Sequence, residues 1–239
     1  MATLPLDILG LAAHRDDVEQ TCGGTLLKMA QRGYRTGILD LTQGEMGTRG
    51  TADDRAREAA EAARILQASW RAALDIPDGR VENTWDNRLK VARVIRETRP
   101  RVLILPYWKG RHPDHYTASI LGYEACFLAG LGKLDLGAAP HRPFKIIYAT
   151  LYYDVRPTFI VDISDQFETR FQSLMAYKSQ YQDQAAGSEL FPAQAEIRAR
   201  VEAMARHYGL LAGVTYGEPF LQKEIGLVED LTLIPVASI

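Results

Sequence analysis

Short apolar runs rich in Ile, Leu and Val alternate along this chain with longer segments whose apolar residues recur at helical spacing. That alternation leaves few architectures open, because a strand apolar on both faces must be covered on both sides, and the intervening helices supply the cover. The pattern predicts strands over Asp7 to Ala12, Thr36 to Leu41, a weaker Trp70 to Leu74, and Val102 to Leu105, the last framed by Pro100 and Pro106. Two later runs, Lys145 to Tyr152 and Phe159 to Ile163, extend the sheet. Helices are expected over Val18 to Gln31, stopped by Gly33, and over Asp53 to Leu66, where the helix dipole favours Asp53 and Asp54 in the first turn. Ala56, Ala59, Ala60, Ala63 and Leu66 form the face of that helix expected to pack on the sheet. Further helical patterns cover Trp85 to Thr98, Tyr116 to Leu131, Asp165 to Ser179 and Ala193 to Tyr208. The fold class is therefore α/β, a mostly parallel sheet with helices on both faces, and without repeats, low-complexity tracts or long linkers residues 1–239 read as one domain.

Composition removes several kinds of function. The 28 basic and 30 acidic residues leave a formal charge of -2, without the basic excess that a nucleic-acid backbone demands of its partner. Cys22 and Cys126 are the only cysteines and share no paired spacing, so neither a disulfide framework nor a zinc ribbon is expected, and a reducing cytoplasm fits. The run from Leu4 to Ala13 contains Asp7 and has no basic leader, and no stretch approaches the ~20 apolar residues of a membrane span. A soluble, unprocessed chain is the expectation.

Two polar clusters interrupt the apolar pattern. Ala13-His14-Arg15-Asp16-Asp17-Val18-Glu19 follows the first strand, and Gly110-Arg111-His112-Pro113-Asp114-His115 follows the fourth. In a Rossmann-like sheet, loops at the carboxyl ends of neighbouring strands share one crevice, so the clusters can meet. Together they hold three histidines and three aspartates, a donor set that zinc accepts at about 2.0 to 2.2 Å. A catalytic zinc keeps three protein ligands and an open position. His14, Asp17 and His115 are assigned as ligands, because the spacing of the first two turns both inward at a helix start, and Asp16 is left as a base beside the water. Taken singly, each piece has a plainer explanation: a capping aspartate beside an incidental histidine, or a proline and an aspartate opening a helix. It is their occurrence after two buried strands that points to a site. His141 and His207 look like surface residues and receive no role.

These residues resemble the PIG-L/LmbE superfamily of zinc-dependent N-acetylglucosaminyl deacetylases, whose motifs read Ala-His-Pro-Asp-Asp-x-Glu and His-Pro-Asp-His. The likeness extends through Cys22-Gly23-Gly24-Thr25-Leu26, Gly44-Glu45-Met46-Gly47-Thr48-Arg49-Gly50-Thr51, Arg55-Ala56-Arg57-Glu58-Ala59-Ala60 and Tyr216-Gly217-Glu218-Pro219-Phe220. The run from Gly44 to Gly50 is most similar to the branch that deacetylates N-acetylglucosaminyl malate in bacillithiol biosynthesis. The resemblance implies a metal-dependent amidohydrolase acting on a small N-acetylated sugar, in the cytoplasm, as a homo-oligomer with a hexamer as one candidate state. It implies zinc on His14, Asp17 and His115, with other divalent ions acceptable to the same donors, Asp16 as general base, His112 at the oxyanion or the proton, Asp114 orienting a histidine, and Arg55 on the substrate. Arg49 and Arg15 are second candidates for gripping a substrate carboxylate. Arg15 stands where the motif has proline, which removes a fixed backbone angle and adds a charge. The three glycines from Gly44 to Gly50 could let backbone approach a sugar, or merely form a loop.

Three other readings compete. A Rossmann-type nucleotide binder would need glycines where His14-Arg15-Asp16-Asp17 stand, and carboxylates there repel a pyrophosphate. An inactive sugar-binding relative would not need to keep Asp16 and His112. A deacetylase of another N-acetyl sugar, a chitin-derived disaccharide or an antibiotic precursor, would use the same machinery.

Overall fold

Period-two alternation within the central strands divides their side chains between two cores. In a computed structural model describing residues 5–182 and 194–236, strands β1 (Ile8–Ala12) and β2 (Thr36–Asp40) are buried along their whole length. Leu9 and Leu11 point to one face, where they meet Leu39, Leu103 and Leu105 under the helices α4 (Trp85–Thr98) and α5 (Pro113–Ala129). Ile8 and Ala12 point to the other, with Ile38 and Ile104, under the helices α1 (Asp17–Thr21) and α2 (Gly23–Gln31). Parallel pairing of β1 with β2 and with β4 (Val102–Pro106) is what demands such two-sided cover.

The seven-stranded sheet has the order β3-β2-β1-β4-β5-β7-β6, with β3 at Trp70–Ala73, β5 at Lys145–Ala149, β6 at Phe159–Asp162 and β7 at Gly217–Leu221. The first five positions pair in parallel, while β7 runs antiparallel between β5 and β6. The order reverses between β1 and β4, the switch point where open α/β sheets bind ligands. α3 (Ala52–Ile65), α6 (Phe167–Met175), α7 (Lys178–Tyr181) and α8 (Gln194–Ala212) complete the α-helices among the described residues.

Several expectations are corrected. β7 is an additional strand that overlaps the Tyr216-to-Phe220 stretch, and β5 ends at Ala149, short of Tyr152, which takes a left-handed backbone, φ 53°. The expected Val18-to-Gln31 helix breaks at Cys22, and the Asp165-to-Ser179 helix breaks at Tyr177. α5 starts at Pro113 rather than Tyr116, with His112 as its cap. In α3, Arg55, Ala59, Ala62, Ala63 and Leu66 are buried, whereas Ala56 and Ala60 are exposed. The helix is turned so that Arg55 faces inward, and it packs on α6 and α7 as well as β3. His141 is half-buried, its Nε2 lying 2.7 Å from the Pro100 carbonyl oxygen. Leu4 and Ala193, at the edges of two predicted segments, lie outside the described residues. Among the described residues no helix is long and apolar enough to cross a membrane, and both cysteines are free and buried.

Candidate functional site

The turn after β1 places His14 at the sheet's carboxyl edge and Asp16 at the N-cap of α1, with Asp17 as the first helical residue. The loop after β4 ends with His112 as N-cap of α5, so Asp114 and His115 lie in its first turn. Proline at the first helical position suits this start, since its missing N–H would have no helical partner there.

The two turns bring their side chains together. His14 Nδ1 and His115 Nε2 are 3.1 Å apart; Asp17 Oδ2 is 3.4 Å from the first and Asp17 Oδ1 3.3 Å from the second. Donors about 2.0 to 2.1 Å from a tetrahedral ion are separated by about 3.3 to 3.4 Å, and each of the two nitrogens lies near that distance from one oxygen of the Asp17 carboxylate, His14 from Oδ2 and His115 from Oδ1. The backbone N of His14 also donates to Asp17 Oδ2 at 2.9 Å, which holds the carboxylate inward. On the far side of the ring, His14 Nε2 lies 3.3 Å from Asp114 Oδ2 and 3.1 Å from Asp78 Oδ1. These carboxylates place a proton on Nε2, which leaves Nδ1 of the neutral ring as the metal-binding nitrogen.

Charge at this point follows from the same contacts. Burial opposes a charged His14, but the carboxylates of Asp17, Asp114 and Asp78 outweigh it and push its pKa up to about 12. Burial likewise works against an ionised Asp17, while the His115 and His14 rings hold it well below the usual carboxylate range. Asp78 and Asp114 are lowered too, through His14 and backbone N–H donors that overcome burial. Three carboxylates around one imidazole favour positive charge here, and a divalent ion fits that preference. His112 differs: burial and the neighbouring His14 and His115 hold its pKa below the usual value. Its Nδ1 accepts from the backbone N of Asp114 at 3.2 Å, so the neutral ring carries its proton on Nε2. The His14, His112 and His115 nitrogens lie within 4.8 Å of one another, which places the protonated Nε2 of His112 at the edge of this group.

Asp16 sits beside this group in another set of contacts. Arg55 Nη2 donates to its Oδ1 at 3.0 Å, and Oδ2 accepts from the Tyr181 hydroxyl and from Gln20 Nε2 at 3.4 Å. Tyr152 OH donates to Gln20 Oε1 at 2.6 Å. A cavity of about 620 Å³ opens from Gln20, Tyr152 and Tyr181. Arg55 is buried, and the loop before α3 is shaped around it. A Cβ on Gly44, at φ +74°, would lie 2.9 Å from its guanidinium carbon, and one on Gly47 3.1 Å from Nη1. Gly44 and Gly47 thus accommodate Arg55. Arg15 is buried as well, its Nη1 donating to the Ala52 carbonyl at 3.0 Å, and the Arg49 carbonyl accepts from Gln180 at 2.6 Å.

Several buried polar residues had no sequence signal strong enough to find them. Asp78, from the loop after β3, accepts from the Met46 backbone N at 3.0 Å while its own N donates to Glu45 at 2.8 Å. Arg71 on β3 grips Asp40 with two nitrogens, at 2.9 and 3.0 Å, reaches Glu19 at 2.6 Å, and donates to the Arg15 carbonyl, which also accepts from Tyr177 OH. A lone aspartate or arginine inside an apolar run, as Asp40 and Arg71 are, is the signal that was available.

The switch-point position and the His/Asp cluster define an α/β protein with a candidate metal centre between β1 and β4. Residues 9–126 match the family model described as PIG-L, GlcNAc-PI de-N-acetylase. The chain is 32% identical over 227 residues to the diacetylchitobiose deacetylase of Thermococcus kodakarensis, covering 88% of this chain and 80% of that protein. A conserved protein of Thermus thermophilus has a TM-score of 0.85 at 39% identity, covering 94% of this chain and 98% of that one. The N,N'-diacetylchitobiose deacetylase from Pyrococcus horikoshii, solved with its inhibitor MPG, has a TM-score of 0.79 at 25% identity, with 89% and 82% covered. The chain belongs to the PIG-L family.

Proposed function

We propose that this protein is a zinc-dependent hydrolase that removes the N-acetyl group from a small glucosamine-containing molecule. The observation that carries the reading is the convergence of His14 Nδ1, His115 Nε2 and the Asp17 carboxylate at 3.1 to 3.4 Å, with a separate carboxylate, Asp16, next in the chain. His14, Asp17 and His115 would hold the ion. When bound, it supplies Lewis acidity for the acetyl carbonyl and lowers the pKa of nearby water.

The chain's own residues do the rest. Asp16 takes the proton of the attacking water, its carboxylate aimed by Arg55 and Tyr181. His112, neutral and protonated on Nε2, donates to the developing oxyanion; loss of one such donor costs about 100 to 1,000-fold in rate. Asp114, held by the backbone N–H groups of Gly79 and Val81 at 2.9 and 3.1 Å, orients His14. The cavity, lined by Gln20 and Tyr181, which both contact Asp16, falls within the roughly 300 to 1,000 Å³ typical of small-molecule sites.

Two substrates are in contention. The motif run from Gly44 to Gly50 favours N-acetylglucosaminyl malate, whose carboxylates need a cation. The named activities of the two deacetylase relatives favour a chitin-derived disaccharide, which is neutral. Arg55 is already engaged by Asp16 and Arg15 by the Ala52 carbonyl, which supports the disaccharide. Metal analysis with acetate release from diacetylchitobiose and from N-acetylglucosaminyl malate tests both. Wild type should turn over at least one of them, stop on chelation and recover with zinc, and Asp16→Ala should lose about 100 to 10,000-fold in kcat. A variant as active as wild type removes the base. Bound metal without turnover of either sugar removes the deacetylase.

A further inference from the structure

Two adjacent residues of the first polar cluster reach the same turn of α3. Asp16 Oδ1 accepts from Arg55 Nη2 at 3.0 Å, and Arg15 Nη1 donates to the Ala52 carbonyl, also at 3.0 Å. Ala52 is the first residue of α3, and the Arg55 backbone N donates to the carbonyl of the N-cap, Thr51, at 3.0 Å. Two bonds placed three residues apart on one helix fix an angle as well as a distance, where one bond would leave a pivot. α3 packs chiefly on α6, α7 and β3, so side chains carry the connection between its first turn and the turn after β1. Arg71 reaches α3 as well, at the Ala59 carbonyl, but that contact lies about two turns further along.

Arg15 is a costly residue with which to make such a bond. Its side chain is only 7% exposed, and among the described residues it forms no ion pair. Burying a cation without a counter-charge is unfavourable, and its one hydrogen bond is the return. The backbone at this position does not need the side chain. The Arg15 carbonyl accepts from Arg71 Nη2 and from the Tyr177 hydroxyl, so the turn is held from beneath whatever residue stands there. The motif that this cluster resembles has proline here, a residue with no donor to offer α3.

We infer that Arg15 is a positioning residue, which pins the first turn of α3 to the turn carrying His14 and Asp17 and thereby sets Arg55 on the carboxylate of Asp16. Gly44 and Gly47 crowd Arg55, so its side chain has little room to re-extend towards Asp16 if α3 shifts. The inference rests on Asp16 being the base of the proposed reaction.

In the zinc-loaded full chain, Arg15→Met should lower kcat about 10 to 100-fold, as expected of a misaligned group, with KM nearly unchanged. Zinc affinity should stay at the wild-type value, because Arg71 and Tyr177 still hold the turn. Arg15→Lys, whose ammonium can still donate to the Ala52 carbonyl, should recover most of the lost rate. In an Arg55→Met background Arg15→Met should cost nothing further, since a residue that acts through Arg55 has nothing left to position. Additive losses, a fall in zinc affinity, or full activity in Arg15→Met would each overturn the inference. Nitrogen-15 NMR of the guanidinium groups reads the clamp without turnover. In wild type the terminal nitrogens of Arg15 and Arg55 should both rotate slowly, and Arg15→Met should speed the rotation of Arg55. A freely rotating Arg15 in wild type overturns the inference even if no variant at this position folds, and so does an Arg55 that stays slow in Arg15→Met. Slow rotation of both groups and release of Arg55 in the variant, in a protein that cleaves no N-acetyl sugar, would leave the clamp standing and remove the deacetylase.

Discussion

At the scale of single residues, His14 is defined by what lies on each side of its ring. Its Nδ1 faces His115 and Asp17, and its Nε2 faces Asp114 and Asp78. If an ion is held at Nδ1, the outer carboxylates set the tautomer and strengthen the ligand, and removing such a partner typically lowers metal affinity about 10 to 100-fold. Asp114→Asn should weaken zinc by that factor in a calorimetric titration, while its one amide oxygen keeps an acceptor for only one of the Gly79 and Val81 N–H groups. Unchanged affinity would show that Asp114 serves the loop alone. Gly44 makes a second residue-scale case. Alanine there would hold a left-handed backbone and push a Cβ to 2.9 Å from the Arg55 guanidinium, which is buried and tied to Asp16. Gly44→Ala is expected to destabilise by about 1 to 3 kcal/mol in urea unfolding and to lower turnover with Arg55 displaced. A variant equal to wild type in both would mean the loop yields freely.

At the scale of elements, the break between α1 and α2 shows how distant residues override a local pattern. Cys22 leaves the helical path, which frees the backbone N–H groups of Gly24 and Thr25, and Glu218 on β7 accepts from both at 2.8 and 2.7 Å. Arg170 on α6 closes the other side of the elbow, donating to the carbonyls of Glu19 and Gln20 and lying 3.2 Å from Glu218. Glu218→Ala would leave a buried arginine without its counter-charge and two helix N–H groups without their acceptor, a loss of about 3 to 5 kcal/mol in chemical denaturation. Less than about 1 kcal/mol would mean that water replaces the carboxylate, as at an exposed cap. This is also why the elbow was hard to read: a continuous apolar period ran through Cys22, and the partner that ends the helix lies 194 residues from Gly24. Tyr177 interrupts the α6–α7 stretch for a similar reason, its hydroxyl reaching the Arg15 carbonyl. By contrast α4 was legible end to end, since Thr84 caps it locally and Arg99 closes it in a left-handed turn. The α3 face was misjudged by one side because alanine spacing cannot show that a buried arginine sets the rotation.

At the scale of the whole molecule, strand burial and chain order made the sheet and its switch point legible, and each polar cluster was legible because it is contiguous in sequence. The support beneath them was not, because it joins residues from three elements and the turn between α6 and α7. Glu19, Asp40, Arg71 and Tyr177 form one buried network under the His14 turn, in which Arg71 serves both carboxylates and one Glu19 oxygen, Oε2, has no partner. Burial, opposed only in part by Arg71, raises the Glu19 carboxyl to about 7, against about 4.3 in an unfolded chain. Between those values the folded state binds a proton that the unfolded state has released. The stability this provides is complete below about pH 4.3 and is lost as pH rises through 7, a change on the order of 3 kcal/mol. Asp40 is raised in the same direction by burial, whereas Asp17, Asp78 and Asp114 are lowered and act in the acid range instead. Urea unfolding in chelator from pH 5 to pH 8 should therefore show wild type losing stability across that window and Glu19→Gln losing clearly less, the difference between the two curves isolating this one group. Parallel curves would mean that Arg71 keeps Glu19 ionised across that whole range.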